Sequence, residues 1–156
     1  TPITLDVPGE AHLPVAYVEA DDSRLEAYRR LAALTNHDEL EDLRAEWRDR
    51  YGALPSAAEG LLELAALRLD CLALGVASVV GSPPRAGVRS RPLVRVAPLR
   101  LSVSQQVRVR QLHGSRAYDE GAAELRVELA HDAATPRALR ALLAEAVASR
   151  EPVAPR

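Results

Sequence analysis

Glu46, Asp49 and Arg50 form the charged constellation in this chain whose spacing best suits recognition. On a helix, steps of three and four place Glu46 beside both Asp49 and Arg50. Glu39 and Asp42 precede Glu46 by seven and four residues, so the carboxylates line one strip. Leu43, Trp47 and Tyr51 line another. Paired carboxylates accept two-pronged hydrogen bonds from an arginine guanidinium. The strip therefore reads as a docking surface for a basic partner, and such pairing fixes orientation more than it adds affinity. The plainer alternative is a solvated face with a local Glu46–Arg50 pair, worth only about 0.3–0.5 kcal/mol.

Other reactive residue types offer less. His12, His37, His113 and His131 are far apart in sequence, none with a second His at ligand spacing, so they read as surface or loop histidines. Cys71 is the single cysteine. It excludes an intrachain disulfide and a multi-thiolate zinc cluster, and it reads as a small core residue in a reducing compartment. The chain contains no Lys, so a phosphate loop of the G-x-x-x-x-G-K-[ST] kind cannot form. H-E-x-x-H, G-x-S-x-G and dinucleotide-binding patterns are missing too. No catalytic residue, cofactor or metal is expected in this segment.

The net charge of −2 hides a strong asymmetry. Residues 1–70 hold 15 acids and 7 Arg, whereas residues 71–118 hold 8 Arg and no acid. Those arginines are Arg85, Arg89, Arg91, Arg95, Arg100, Arg108, Arg110 and Arg116. They raise a second reading, a nucleic-acid-binding module using segment 85–116. No aromatic residue interleaves with them to stack bases, which weighs against it. With 47% hydrophobic residues the chain can bury a core. No apolar run reaches bilayer length and no signal peptide opens the chain, so a soluble cytoplasmic protein without membrane contact is expected. A start on Thr1 rather than Met predicts a piece of a longer protein.

The elements that must position the strip follow from periodicity. Ile3, Leu5 and Val7 alternate as a short strand. A first helix opens at Asp21-Asp22-Ser23, with Ser23 and Glu26 as a capping box and Leu25, Tyr28, Leu31 and Ala32 inward. Thr35-Asn36 caps a second helix carrying Leu40, Leu43, Trp47 and Tyr51 at steps of three and four. Gly52 stops it, Pro55 prevents continuation, and Ser56 with Glu59 predicts a second capping box. The third helix, about Ala57 to Leu74, is apolar around most of its circumference and should be the central buried helix, closed by Gly75. The period then changes. Val76–Val80 and Val88–Val96 read as strands separated by a SPPRAG turn, with Pro92 marking an edge or a later start. Leu125, Val127 and Leu129 alternate as a strand with one wet face. Thr135-Pro136 caps a final helix with Leu139, Leu142, Leu143, Ala146 and Val147 inward. Residues 151–156 should be disordered. The expected fold is α+β: a three-helix subdomain over about 15–75, then a small β-sheet with one or two helices over about 76–150, forming one domain over 1–150.

The order LPVAYVEADDSRLEAYRRLA, ELEDLRAEWRDRYGALP and LLELAALRLDCLALGV resembles the C-terminal domain of bacterial transcription-repair coupling factor. Matching positions are Leu13, Pro14, Tyr17, Arg24, Leu25, Tyr28, Arg30, Glu39, Leu40, Glu46, Asp49, Arg50, Tyr51, Gly52, Leu54, Pro55, Leu64, Leu67, Gly75 and Val76. Trp47 stands where the family usually has Leu, a change of core shape but not polarity. The resemblance is close over the first half and holds in element order over the second. That order favours a helix for SVSQQVRVRQL, residues 102–112, which could also be a strand alternating Val107 and Val109; as a helix, Ser104 would start it. The resemblance implies a domain that folds back on a UvrB-like N-terminal module and covers the surface that would recruit UvrA. It implies that Glu46, Asp49 and Arg50 face arginines of that module. The parent it implies is an ATP-dependent DNA translocase that engages RNA polymerase and DNA, active in transcription-coupled nucleotide excision repair.

Overall fold

A computed structural model describes residues 2–7, 10–82, 93–129 and 135–148. Its elements are β1 (Thr4–Asp6), α1 (Asp21–Ala32), α2 (His37–Tyr51), α3 (Ser56–Leu74), β2 (Ser78–Ser82), β3 (Leu93–Ala97), α4 (Val103–His113), β4 (Tyr118–Asp119), β5 (Glu124–Glu128) and α5 (Pro136–Val147). The five strands form one sheet in the order β1-β2-β3-β5-β4. β1 runs parallel to β2, and the remaining pairs are antiparallel. The three N-terminal helices thus sit inside the crossover from β1 to β2. The fold is α+β, as the pattern predicted.

Two buried clusters share α3. Its Leu61, Leu62, Ala65, Ala66 and Leu69 pack with Leu31, Leu40, Leu43 and Trp47 of the helical layer. Its Leu67 and Cys71 pack with Val79, Val94, Val96, Leu125 and Val127 of the sheet and with Leu139 and Leu143 of α5. A helix buried on both sides needs apolar residues around most of its girth, which is what its sequence shows.

The start of α2 follows its local chemistry. Asn36 accepts a hydrogen bond from the Glu39 amide at 2.9 Å, and Glu39 accepts from Asn36 Nδ2 at 2.8 Å. At the other end Gly52 takes φ +91°, a region that favours glycine, but with an extended ψ of −164° rather than the left-handed helical form. Tyr17 Oη donates to the Gly52 and Trp47 carbonyls at 2.9 and 3.1 Å, anchoring the N-terminal segment on the end of α2. Arg68 of α3 donates to the Leu34 carbonyl at 2.9 Å just past the end of α1.

Several local expectations fail. α1 begins at Asp21 with Ala20 as an uncapped N-cap, so Ser23 and Glu26 lie inside the helix rather than in a capping box. Its buried residues are Ala27 and Leu31, while Leu25 is 52% exposed. Tyr28 is 38% exposed and accepts a hydrogen bond from the Leu13 amide at 2.9 Å. Pro55, not Ser56, is the N-cap of α3, and Glu59 turns to arginines of α2 instead of closing a box. β2 runs two residues past the expected Val80 and includes Gly81. β3, described from Leu93, is central in the sheet, against an edge position. Segment 102–112 is mostly helix, but Ser102 rather than Ser104 starts it, in a complete capping box with Gln105. β4 had no alternating signal because it is only two residues long. The SPPRAG turn beyond Ser82, Val88 to Pro92, Arg85, Arg89, Arg91, His131 and tail 151–156 lie outside the described residues.

Candidate functional site

α2 holds the predicted site, and the α2–α3 hairpin fixes its direction. Leu40, Leu43 and Trp47 bury one face of α2, with Trp47 only 2% exposed. That burial turns Glu46, Asp49 and Arg50 outward, and all three are exposed. The structure therefore brings the three predicted residues together on one solvent-facing turn.

Their pairing differs from the simple helical ladder. Glu46 accepts a hydrogen bond from Arg30 Nη1 of α1, not from Arg50. Arg50 instead lies over the Tyr51 ring, 5.4 Å from its centroid, a cation–π contact. Among the described residues, neither Asp49 nor Arg50 makes an ion pair. The longer carboxylate strip does not hold together: Glu39 is drawn into the α2 cap by Thr35 Oγ1 and Asn36 Nδ2. A groove of about 180 Å³ opens between α1 and α2, lined by Asp22, Glu26, Arg30, Glu46, Arg50 and Tyr51 among others. Its rim carries opposite charges on an apolar floor, which suits a charged side chain of a protein partner.

Sequence reasoning missed a second layer of charge. Arg44, on α2, is largely buried and bonds Glu59 of α3, with Glu41 at 3.4 Å and Glu63 at 3.8 Å. Glu63 also lies 3.4 Å from Arg140 and 3.6 Å from Arg137 of α5. Asp70 receives Arg140 Nε at 2.8 Å and meets His37 Nε2 at 2.8 Å. These pairs tie α2, α3 and α5 together. Counting outward from the Gly52–Pro55 corner aligns Arg48 with Glu59 and Arg44 with Glu63, which lie 3.7 and 3.8 Å apart, but nothing local signals Arg140 beside Asp70.

Among the described residues no cluster of three His, Cys, Asp or Glu could hold a metal ion. His37 and His113 each face one carboxylate, Asp70 and Glu145, at 2.8 and 3.0 Å. Cys71 is fully buried, and that burial, with the Asp70 charge beside it, pushes its thiol up to about 11. Two of the five described arginines of the basic stretch serve the fold. Arg108 donates to the Glu145 and Ala148 carbonyls at 2.8 and 3.3 Å, capping the end of α5. Arg110 donates to the Tyr118 carbonyl at 3.1 Å and lies 6.0 Å from that ring's centroid. Arg95, Arg100 and Arg116 are exposed.

The chain is thus an α+β domain with an exposed charged turn on its helical hairpin. The comparisons sharpen this. The family model described as TRCF domain matches residues 7–101. The transcription-repair-coupling factor of Mycobacterium tuberculosis is 38% identical over 127 residues, 81% of this chain and 10% of that protein. That of Escherichia coli is 36% identical over 70 residues, 45% of this chain and 6% of that protein. The crystal structure of the C-terminal domain of transcription-repair coupling factor has the same fold, with a TM-score of 0.66 at 16% identity, covering 93% of this chain and 87% of that one. The chain belongs to the TRCF domain family. It spans about a tenth of the length of the first curated relatives it matches. No helix among the described residues is long and apolar enough to cross a membrane.

Proposed function

We propose that residues 1–150 form the C-terminal regulatory domain of a cytoplasmic transcription-repair coupling factor, an ATP-dependent DNA translocase. The domain docks through Glu46, Asp49 and Arg50 on a UvrB-like N-terminal module of the same parent chain. Docked, it covers the surface that recruits UvrA. Release, when the motor engages stalled RNA polymerase on DNA, exposes that surface for nucleotide excision repair. One observation carries this reading: the three charged residues stand exposed on one turn of the α2–α3 hairpin, with Asp49 and Arg50 lacking an ion pair among the described residues. Family membership supports it, since the relatives bear the name of the coupling factor.

The energetics suit a lock that must open. A tether holds the two parts at an effective concentration of roughly millimolar order, so weak contacts suffice to keep it shut. A lock closed by a few exposed ion pairs can be opened by a competing contact of a few kcal/mol. The nucleic-acid reading loses support because Arg108 and Arg110 serve helix and strand ends. The test is competition. Added to the UvrB-like module, this chain should displace UvrA in an anisotropy assay, and Glu46→Arg/Asp49→Arg should not. UvrA binding that is indifferent to saturating chain would refute masking.

A further inference from the structure

We infer that Arg30 gates the docking surface by standing in for the partner's arginine at Glu46. This rests on the reading that Glu46 receives a basic side chain of the docking partner. Arg30 Nη1 donates to Glu46 Oε2 across the α1–α2 groove, while Glu46 Oε1 accepts no hydrogen bond from a described residue. The stand-in is therefore one-pronged, and an incoming guanidinium using both oxygens makes the stronger bond. Both side chains are near half exposed, at 46% and 43%, so the pair is neither locked nor fully desolvated.

Arg30 also has somewhere to go. Glu26 precedes it by four residues on α1, the favourable order for a helical carboxylate–arginine pair, and both line the same groove. Docking then exchanges partners: the visiting arginine takes Glu46, and Arg30 swings back to Glu26. Arg30 keeps a carboxylate partner through the exchange, and the cost of entry is what its Glu46 pair is worth beyond its Glu26 pair, at most one exposed ion pair. Arg50 takes no part in the exchange, being held over Tyr51.

The experiment is calorimetric titration of the chain and its variants into the UvrB-like module. Removing the stand-in by Arg30→Ala should tighten binding about two- to fivefold, the scale of an exposed pair. Arg29→Ala makes the same charge change on an exposed neighbour without touching Glu46, and should shift affinity less. Glu26→Ala should weaken binding in the native background and do nothing in the Arg30→Ala background. Overturning results are an Arg30→Ala variant that binds no tighter than Arg29→Ala, or a Glu26→Ala effect that persists without Arg30. Glu46→Gln separates the two ideas. If it leaves affinity unchanged, the docking reading itself fails. If it weakens binding while Arg30→Ala does not tighten it, only the gate fails. Thermal melts of each variant confirm that the fold is kept.

Discussion

At the scale of single residues, the chemistry of this chain is set by who pairs with whom across helices. Glu46 illustrates it: the nearest arginine along α2 is Arg50, yet the partner is Arg30 of α1. Arg50 gains more from lying on an aromatic face than from an exposed bond to a neighbouring carboxylate. Cys71 makes the opposite case, a group silenced by its surroundings. Its raised titration point means the folded chain holds the proton more tightly than the unfolded chain, whose thiol titrates near 9. Its contribution to stability is complete below that pH and is lost as pH rises from 9 towards 11. Urea unfolding over pH 8–11 should therefore show a shallower alkaline loss for Cys71→Ala than for the native chain. Equal slopes would mean that the thiol titrates normally.

At the scale of elements, α3 decides most of the structure. Gly60 shows how tightly it is built in: a Cβ there would lie 2.1 Å from the Glu10 carbonyl oxygen. In an open helix Gly→Ala stabilises by up to about 1 kcal/mol. Here backbone blocks the space, so Gly60→Ala should destabilise by about 1–3 kcal/mol, read as a lowered melting temperature. A raised one would show that the N-terminal segment does not cross there. Gly60 carries no signal of this in the sequence, because the contact comes from a residue fifty positions earlier. What was legible was periodic: the stripes of α2 and α5, the full apolar girth of α3 and the alternation of β5. Capping was legible only where no tertiary charge competed. Asn36 and Thr135 cap as expected. Glu59 abandons Ser56 because Arg44 and Arg48 offer it charge-assisted bonds.

At the scale of the molecule, the helical layer and the sheet layer share one helix and are cross-braced by Glu63 and Asp70. Their side chains are partly buried, so solvent and salt screen these pairs less than surface pairs. As a set they hold α2 in one orientation relative to α5, so its outward turn is a fixed surface rather than a loop. The position of Glu46, Asp49 and Arg50 was readable because burying Leu43 and Trp47 leaves only one direction for them. Their true neighbours were not, since Arg30 and Arg140 arrive from other elements. The described arginines of the basic middle are divided among a helix cap, a strand end and open surface. The central claim is that the elbow on α2 carries the docking energy. Calorimetric titration of the Glu46→Arg/Asp49→Arg variant into the UvrB-like module tests it most directly. Docking through this turn predicts affinity at least about tenfold weaker than native with an unchanged melting profile. Native affinity in that variant would contradict it.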